Sequence, residues 1–273
     1  MGGCTVTTVT KAIDFLRPVS FRGKPRVISP LIPRSGIVTA RVFGAEMQLD
    51  LSNYIDRMIY LGCYEPLNTY RFRSLLSPGM TVVDVGANIG YFSLLAASIV
   101  GQGGKVVAVE PHPETYRSLK RTIDRNNSRN VRAHRIALSD VEETLSIHMA
   151  DQEAFPNRTA TTVRSDDPEY ANSPTVQSHR LDRCISDWRL EVVDLLKVDV
   201  DGFETKVMRG ARSALESGLI RNVIIEFSDY WLGATGSSTE KLKALITDFG
   251  LEERRNPIAA FFLGPSPDRL FSL

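Results

Sequence analysis

The chain has 273 residues, with 33 Lys plus Arg against 32 Asp plus Glu and 42% hydrophobic residues, which describes one or two globular domains with enough length to bury a core. A formal net charge of +1 argues against a generic polyanion binder, so no nucleic-acid partner is expected. No apolar run approaches the ~18 residues of a membrane span, and the opening MGGCTVTTVTKAIDF lacks the charged-then-apolar order of a secretion signal, so a cytoplasmic chain without a membrane partner is expected.

Gly2 invites myristoylation, but that pattern needs Ser or Thr at position 6, where Val6 stands. Residues 11–36 carry Lys11, Arg17, Arg22, Lys24, Arg26 and Arg34 against Asp14, interspersed with Pro18, Pro25, Pro30 and Pro33. This composition predicts an irregular basic arm, either a solvated strap or a contact for an anionic substrate or partner surface. Residues 37–65 predict a small β-hairpin and a helix leading into a sheet.

From residue 81 short β-branched runs alternate with stretches of helical period. The runs are Thr81 to Val85, Lys105 to Glu110, Val131 to Leu138, Val193 to Val200 and Asn222 to Ser228, the pattern of strands buried on both faces of a parallel sheet. A helix is predicted from Pro113, with Tyr116, Leu119 and Ile123 on one face and a stop near Asn126 and Asn127. A second runs from Glu204 through Val207, Met208, Ala211 and Leu215 to Gly218, and a third begins at Ser237 with Glu240 as its capping-box partner. Residues 151–177 are polar and rich in turn formers, which predicts a long loop, a lid or a disordered stretch. The whole predicts a doubly wound, mostly parallel α/β fold. An N-terminal extension is expected over residues 1–75 and the main domain over 76–273.

Cys4, Cys63 and Cys184 are odd in number and far apart, so reduced thiols are expected rather than a disulfide framework. His112, His134, His148 and His179 show no metal-ligand spacing, and no metal residues are assigned.

The chemistry concentrates in Val82 to Ser93, VVDVGANIGYFS. An apolar strand carries Asp84 near its end, Gly86 and Gly90 flank a tight turn, and an apolar helix follows. Glycine there lets backbone approach a ligand, Asn88 tolerates left-handed geometry, and the carboxyl ends of such strands face the ligand crevice. Glu110 ends the second strand twenty residues past Gly90, placed to accept both hydroxyls of an adenosine ribose. Gly86-Ala87-Asn88-Ile89-Gly90 is not G-x-G-x-x-G, and an acid two residues before Gly86 suits a cationic ligand better than a diphosphate. These features favour S-adenosylmethionine over NAD. An NAD-dependent oxidoreductase and a non-catalytic binding module are the alternatives.

Four motifs occur in order: VVDVGANIGYFS, then VVAVEPHP at 106–113, ALSD at 137–140 and LLKVDVDGFE at 195–204. Together with YLGCYEP at 60–66 they resemble the FkbM-type S-adenosylmethionine-dependent methyltransferases over about residues 60–228. The resemblance implies a class I methyltransferase fold, a Rossmann-like seven-stranded sheet whose last strand is antiparallel, with LEERRN and AAFFLG as its closing pair. It implies that Asp84, Gly86, Asn88 and Gly90 surround the methionyl part and sulfonium and that Glu110 holds the ribose. Pro111 and His112 would flank the adenine, with Ala137, Ser139 and Asp140 in its far wall and Glu65 reaching the cofactor from the lead-in segment. An oxygen of a small hydroxylated acceptor, such as a sugar or secondary metabolite, follows from the resemblance alone.

The fourth run presents Asp199, Asp201 and Glu204 within six residues. Clustered carboxylates raise one another's pKa, so one can serve as general base, while alignment of nucleophile and methyl group supplies most of the catalysis. The same carboxylates holding a divalent cation such as magnesium is the less favoured alternative. Lys197 is placed to pair with a carboxylate, and His112 and His179 are reserve bases. Neither an N-P-P-Y type sequence nor Pro-Cys occurs, which argues against nucleic-acid amino and cytosine C5 methylation.

Overall fold

The computed structural model describes residues 24–149, 161–164, 173–256, 258 and 266–273. It opens with a short helix, α1 (Lys24–Ile28), a 3-10 turn (Ser29–Leu31), a hairpin of β1 (Ile37–Val42) and β2 (Ala45–Asp50), and two helices, α2 (Tyr54–Leu61) and α3 (Pro66–Leu75). There follow β3 (Thr81–Val85), α4 (Tyr91–Val100), β4 (Lys105–Val109), α5 (Pro113–Arg125), β5 (Val131–His134), β6 (Ala137–Leu138), β7 (Thr144–Met149), β8 (Thr161–Arg164) and β9 (Thr175–His179). The remainder is α6 (Leu181–Asp187), β10 (Leu195–Val198), α7 (Glu204–Gly210), α8 (Arg212–Glu216), β11 (Asn222–Glu226), α9 (Asp229–Ala234), α10 (Thr239–Asp248), β12 (Glu252–Arg254) and β13 (Asp268–Ser272).

Seven strands form one sheet in the order β12, β13, β11, β10, β3, β4, β5. From β11 to β5 neighbours are parallel, and β13 runs antiparallel to both β11 and β12. This is the doubly wound sheet that the strand and helix pattern predicts, with the reversed strand that the family resemblance implies. Successive strand residues face opposite sides. Val82, Val106, Leu195 and Ile224 join a core with α4, α5 and the hairpin, while Val83, Val107, Leu196 and Val223 face a second core with α6, α7, α8 and α10. Each fully buried side chain of this kind contributes about 1.5–3 kcal/mol, so the double-sided burial drives the fold. The same alternation carries Asp84, Lys197 and Glu226 to the carboxyl ends of three strands on the first face, and the register sets Lys197 directly beside Asp84.

The hairpin turns at Phe43 and Gly44, both with positive φ, in the tight two-residue form that matches strand twist. Asn126 at the end of α5 pins it, accepting from the Glu46 N–H at 2.7 Å and donating to the Glu46 carbonyl at 2.8 Å.

Six expectations are corrected. The described part of the basic arm is not irregular, since Lys24–Ile28 is helical; Lys11, Asp14, Arg17, Pro18 and Arg22 lie outside the described residues. The run Val131 to Leu138 splits at the polar His134 and Arg135, and β6 pairs with β9 in a second sheet of order β6, β9, β7, β8. That sheet also takes up Thr161–Arg164 from the polar stretch, whereas 150–160 and 165–172 lie outside the described residues. The helix from Glu204 breaks after Gly210, whose Cα lies against the Ser139 carbonyl; a Cβ would come within 2.1 Å of that oxygen. Asp182 of α6 satisfies the new helix start, accepting from Ser213 and Ala214 N–H at 3.1 and 2.9 Å. Ser238, not Ser237, caps α10 by accepting from the Lys241 N–H, because the Ser237 hydroxyl is shared with Thr205 at 2.7 Å. The strand beside β12 is Asp268–Ser272 rather than AAFFLG, which lies outside the described residues. Among the described residues no helix is long and apolar enough to cross a membrane.

Candidate functional site

The crevice opens at the carboxyl ends of β3, β4, β10 and β11, where the winding direction reverses between β3 and β10. After Val85 the chain turns through Gly86, Asn88 and Gly90, all with positive φ. A Cβ on Gly86 would lie 1.8 Å from the Asp199 carbonyl oxygen, so glycine alone lets the ends of β3 and β10 close up. Glu65, Asn88 and Asp201 are non-glycine residues with φ of +38°, +50° and +47°, and all three border the crevice. Left-handed geometry costs about 1–3 kcal/mol at each such residue, and strain of this kind gathers where ligands are held.

The crevice has two lobes that share Gly86, Asn88, Asp199 and Asp201. The narrow lobe, about 50 Å³, is walled by Val85, Val109, Ile136, Ala137, Leu138 and Phe203, with Glu110 and Pro111 at its edge. The Glu110 carboxylate is fixed from both sides, Oε2 accepting from the Asn88 N–H at 2.9 Å and Oε1 from the His112 N–H at 3.0 Å. Burial nevertheless pushes its pKa up to about 7 against those two bonds.

The wide lobe, about 230 Å³, is bordered by Glu65, Asp199, Asp201, Glu226 and Asp268 around a single ammonium, Lys197. Lys197 is 1% exposed and donates to Asp199 Oδ2 at 2.8 Å. Burial opposes its charge, but Asp199, Glu65, Asp84 and Asp268 together hold its pKa above the ordinary lysine value. Its ammonium also sits 4.9 Å from the Phe92 ring centre. Asn68 bridges two acids, donating 2.6 Å bonds to Glu65 Oε2 and Asp268 Oδ2. Burial first, then Asp268, push Glu65 up to about 7. Burial, with Asp199 and Asp201 adding, pushes Glu226 up to about 9. The lobe therefore carries more acid than its own cation balances, an arrangement suited to a positively charged ligand. Among the described residues no group of three or more His, Cys, Asp or Glu is placed to hold a metal ion.

Of the residues singled out in the sequence, Glu65, Gly86, Ala87, Asn88, Glu110, Pro111, Ala137, Asp199 and Asp201 border the crevice. Six others stand behind its wall. Asp84 is 1% exposed and accepts from the Ser93 hydroxyl at 2.6 Å, so it meets Lys197 and α4 rather than the cavity. Gly90 starts α4. His112 starts α5 and turns its ring to Thr115. Ser139 is fully buried, and Asp140 faces Arg209 at 3.9 Å. Glu204 points back into its own loop, Oε1 accepting from Val200 and Gly202 N–H at 3.1 and 3.2 Å. His179 borders neither lobe. Glu226 and Asp268 were not singled out in the sequence. The acid closing the fifth run of the sheet was a readable signal for Glu226, whereas Asp268 follows a stretch without a motif.

A family model described as the methyltransferase FkbM domain matches residues 84–252. The chain is 31% identical over 209 residues to the AMB antimetabolite synthetase AmbE of Pseudomonas aeruginosa, covering 65% of this chain and 10% of that protein. It is 30% identical over 166 residues to Methyltransferase 1 of Beauveria bassiana, covering 54% of this chain and 64% of that protein. The matches thus span less than two thirds of either relative. Among solved structures, methyltransferase FkbM from Methylobacillus flagellatus KT aligns at 16% identity with a TM-score of 0.44, over 81% of this chain and 55% of that one.

Proposed function

The chain belongs to the FkbM methyltransferase family, and from that premise we propose that it binds S-adenosylmethionine in the two-lobed crevice and methylates a hydroxyl oxygen of a small molecule, such as a sugar or secondary metabolite. The observation that carries this proposal is the division of labour between the lobes. An apolar slot with one backbone-held carboxylate adjoins a lobe rich in acid, which matches an adenosine joined to a cationic amino-acid chain.

The donor set fits that cofactor. Val109, Ile136 and Phe203 offer apolar contact for the base, and Glu110 retains lone pairs for the ribose hydroxyls. Glu65 and Asp268 complement positive charge. S-adenosylmethionine, when bound, supplies an electrophilic methyl group. The chain's own part is to align an acceptor hydroxyl and take its proton, for which Asp199 and Asp201 are the candidates. Lys197 keeps Asp199 fixed, and Glu204 acts as a positioning residue for the loop that carries Asp201. On this proposal residues 76–273 are the catalytic domain, residues 1–75 an extension, and the protein works in the cytoplasm.

Calorimetric titration with S-adenosylhomocysteine, with NADH in parallel and with or without magnesium, is the direct test. Micromolar binding of the first alone is expected; binding of NADH instead, or of neither, overturns the proposal. Asp199→Asn and Asp201→Asn should each keep S-adenosylhomocysteine affinity and lose turnover, and unchanged turnover in both removes them from the chemistry.

A further inference from the structure

Helix α2 is a partition with a cavity on each side. Ile55 and Ile59, four apart, border the acid-rich lobe, while Tyr54 and Arg57, three apart, border a second hollow of about 490 Å³. Tyr54 belongs to both walls. The second hollow has the opposite character. Arg26, Arg34 and Arg57 line it together with Ser29, Ser52 and Tyr54.

Arg57 is locked in place. It donates to the Ser29 hydroxyl at 2.9 Å and to the Pro33 and Leu51 carbonyls at 3.1 and 3.3 Å, which stitches the segment after α1 onto α2. Neither Arg26 nor Arg34 is paired with a carboxylate among the described residues. Two acids close to Arg57 in the chain are engaged elsewhere. Asp50 accepts from Ser52 N–H and hydroxyl at 2.9 and 2.7 Å, and Asp56 accepts from the Asp50 N–H at 2.7 Å. Three guanidinium groups around one hollow repel one another unless an anion lies between them, and their planar forks suit a carboxylate or a phosphate.

The juxtaposition limits what the acceptor can be. An anionic group of the acceptor entering the acid-rich lobe would meet five carboxylates against one ammonium, whereas beyond Tyr54 the described residues that line the hollow are Arg26, Arg34 and Arg57 with Ser29, Pro30, Ser52 and Tyr54. Residues 24–57 also precede the family match at 84–252, so this hollow belongs to the part of the chain outside the family domain.

We propose that Arg26, Arg34 and Arg57 form an anion subsite for the methyl acceptor, which is therefore a hydroxylated small molecule bearing a carboxylate or phosphate group. The subsite rests on the methyltransferase proposal above, with the reacting hydroxyl in the crevice and the anion beyond Tyr54, the residue at the start of α2 that both cavities share. Inside it Arg57 holds the shape, and the exposed Arg26 and Arg34 close on the ligand.

The test titrates the full chain with inorganic phosphate, with succinate and with S-adenosylhomocysteine at constant ionic strength, in the wild type and in the Arg26→Gln/Arg34→Gln double variant. One anion should bind the wild type at millimolar concentration or below and bind the double variant at least about tenfold more weakly. S-adenosylhomocysteine affinity should be the same in both, which also reports that the variant folds. Tighter phosphate than succinate assigns a phosphorylated acceptor, and the reverse order a carboxylated one. Equal anion affinity in wild type and variant, or no binding of either anion up to about 10 mM, overturns the subsite. Wild-type protein that binds S-adenosylhomocysteine but neither anion overturns the subsite alone, and protein that binds an anion but not S-adenosylhomocysteine overturns its assignment to a methyl acceptor.

Discussion

The two lobes of the crevice hold their charges by different means. In the narrow lobe one carboxylate, Glu110, is fixed by two backbone N–H groups that the turn and the start of α5 supply. In the wide lobe Glu65, Asp199, Asp201, Glu226 and Asp268 gather around Lys197, and much of the order comes from side chains holding one another. A charge held by backbone survives changes in its neighbours. One held by a network depends on every member, so the wide lobe is where a single substitution spreads.

The largest effect should come from Lys197→Met. Removing the one ammonium among the described residues of the wide lobe leaves buried carboxylates without compensation, which costs about 3–5 kcal/mol when one partner of a buried pair is lost. Urea unfolding measures it, and the cost should shrink at pH 5, where Glu65 and Glu226, raised to about 7 and about 9, are protonated; a loss below about 1 kcal/mol would mean the network is not coupled. Gly86→Ala comes next, because it forces a positive φ on alanine and drives a Cβ into the Asp199 carbonyl. It should cost about 3 kcal/mol and abolish S-adenosylhomocysteine binding in both lobes at once. Intact binding in that variant would break the picture of a shared hinge. Glu110→Ala should act first on the narrow lobe, releasing the Asn88 N–H of the shared turn, and weaken S-adenosylhomocysteine by about 1–3 kcal/mol.

A pH dependence sharpens the same comparison, proton by proton. Burial raises Glu65, Glu110 and Glu204 to about 7 and Glu226 to about 9 from an ordinary 4.5. The folded, ligand-free chain therefore binds protons that the unfolded chain releases. Their contribution to stability is complete below about pH 4.5 and is lost as pH rises through 7 toward 9. A cationic ligand favours the ionised acids, so S-adenosylmethionine should bind more tightly with rising pH, by up to about 1.4 kcal/mol per unit for each proton released. Calorimetry in buffers of different ionisation enthalpy counts those protons. A flat profile would show that the wide lobe does not meet the cation.

Legibility in the sequence follows the same division. The narrow lobe is built from neighbours in the chain, a strand, a glycine turn and an acid twenty residues on, so local pattern exposes it. The wide lobe joins Glu65 before the sheet, Lys197 and Asp199 in its middle and Asp268 in its reversed strand, and no local period links such distant residues. Lys197 could be expected to find a carboxylate because it interrupts a buried strand. The strands between 137 and 179 were only partly visible because their polar residues mimic a loop. The break at Gly210 was hidden because it depends on two outside groups, the Ser139 carbonyl and Asp182. Asp84 and Glu204 show the converse. Their spacing marks them for a site, yet one oxygen of each carboxylate is taken up, by the Ser93 hydroxyl and by the loop N–H groups.

The reversed strand also sets an order of assembly. β13 follows every other strand of the large sheet in the chain, yet it sits between β11 and β12, so during synthesis β11 waits with an open edge and β12 has no place to join. Asp268, its first residue, meets Asn68 two hundred positions earlier. Such distant pairing closes late and slowly. A chain leaving the ribosome therefore completes the glycine turn and the narrow lobe first, and gains the acid end of the crevice only when β13 threads into the gap.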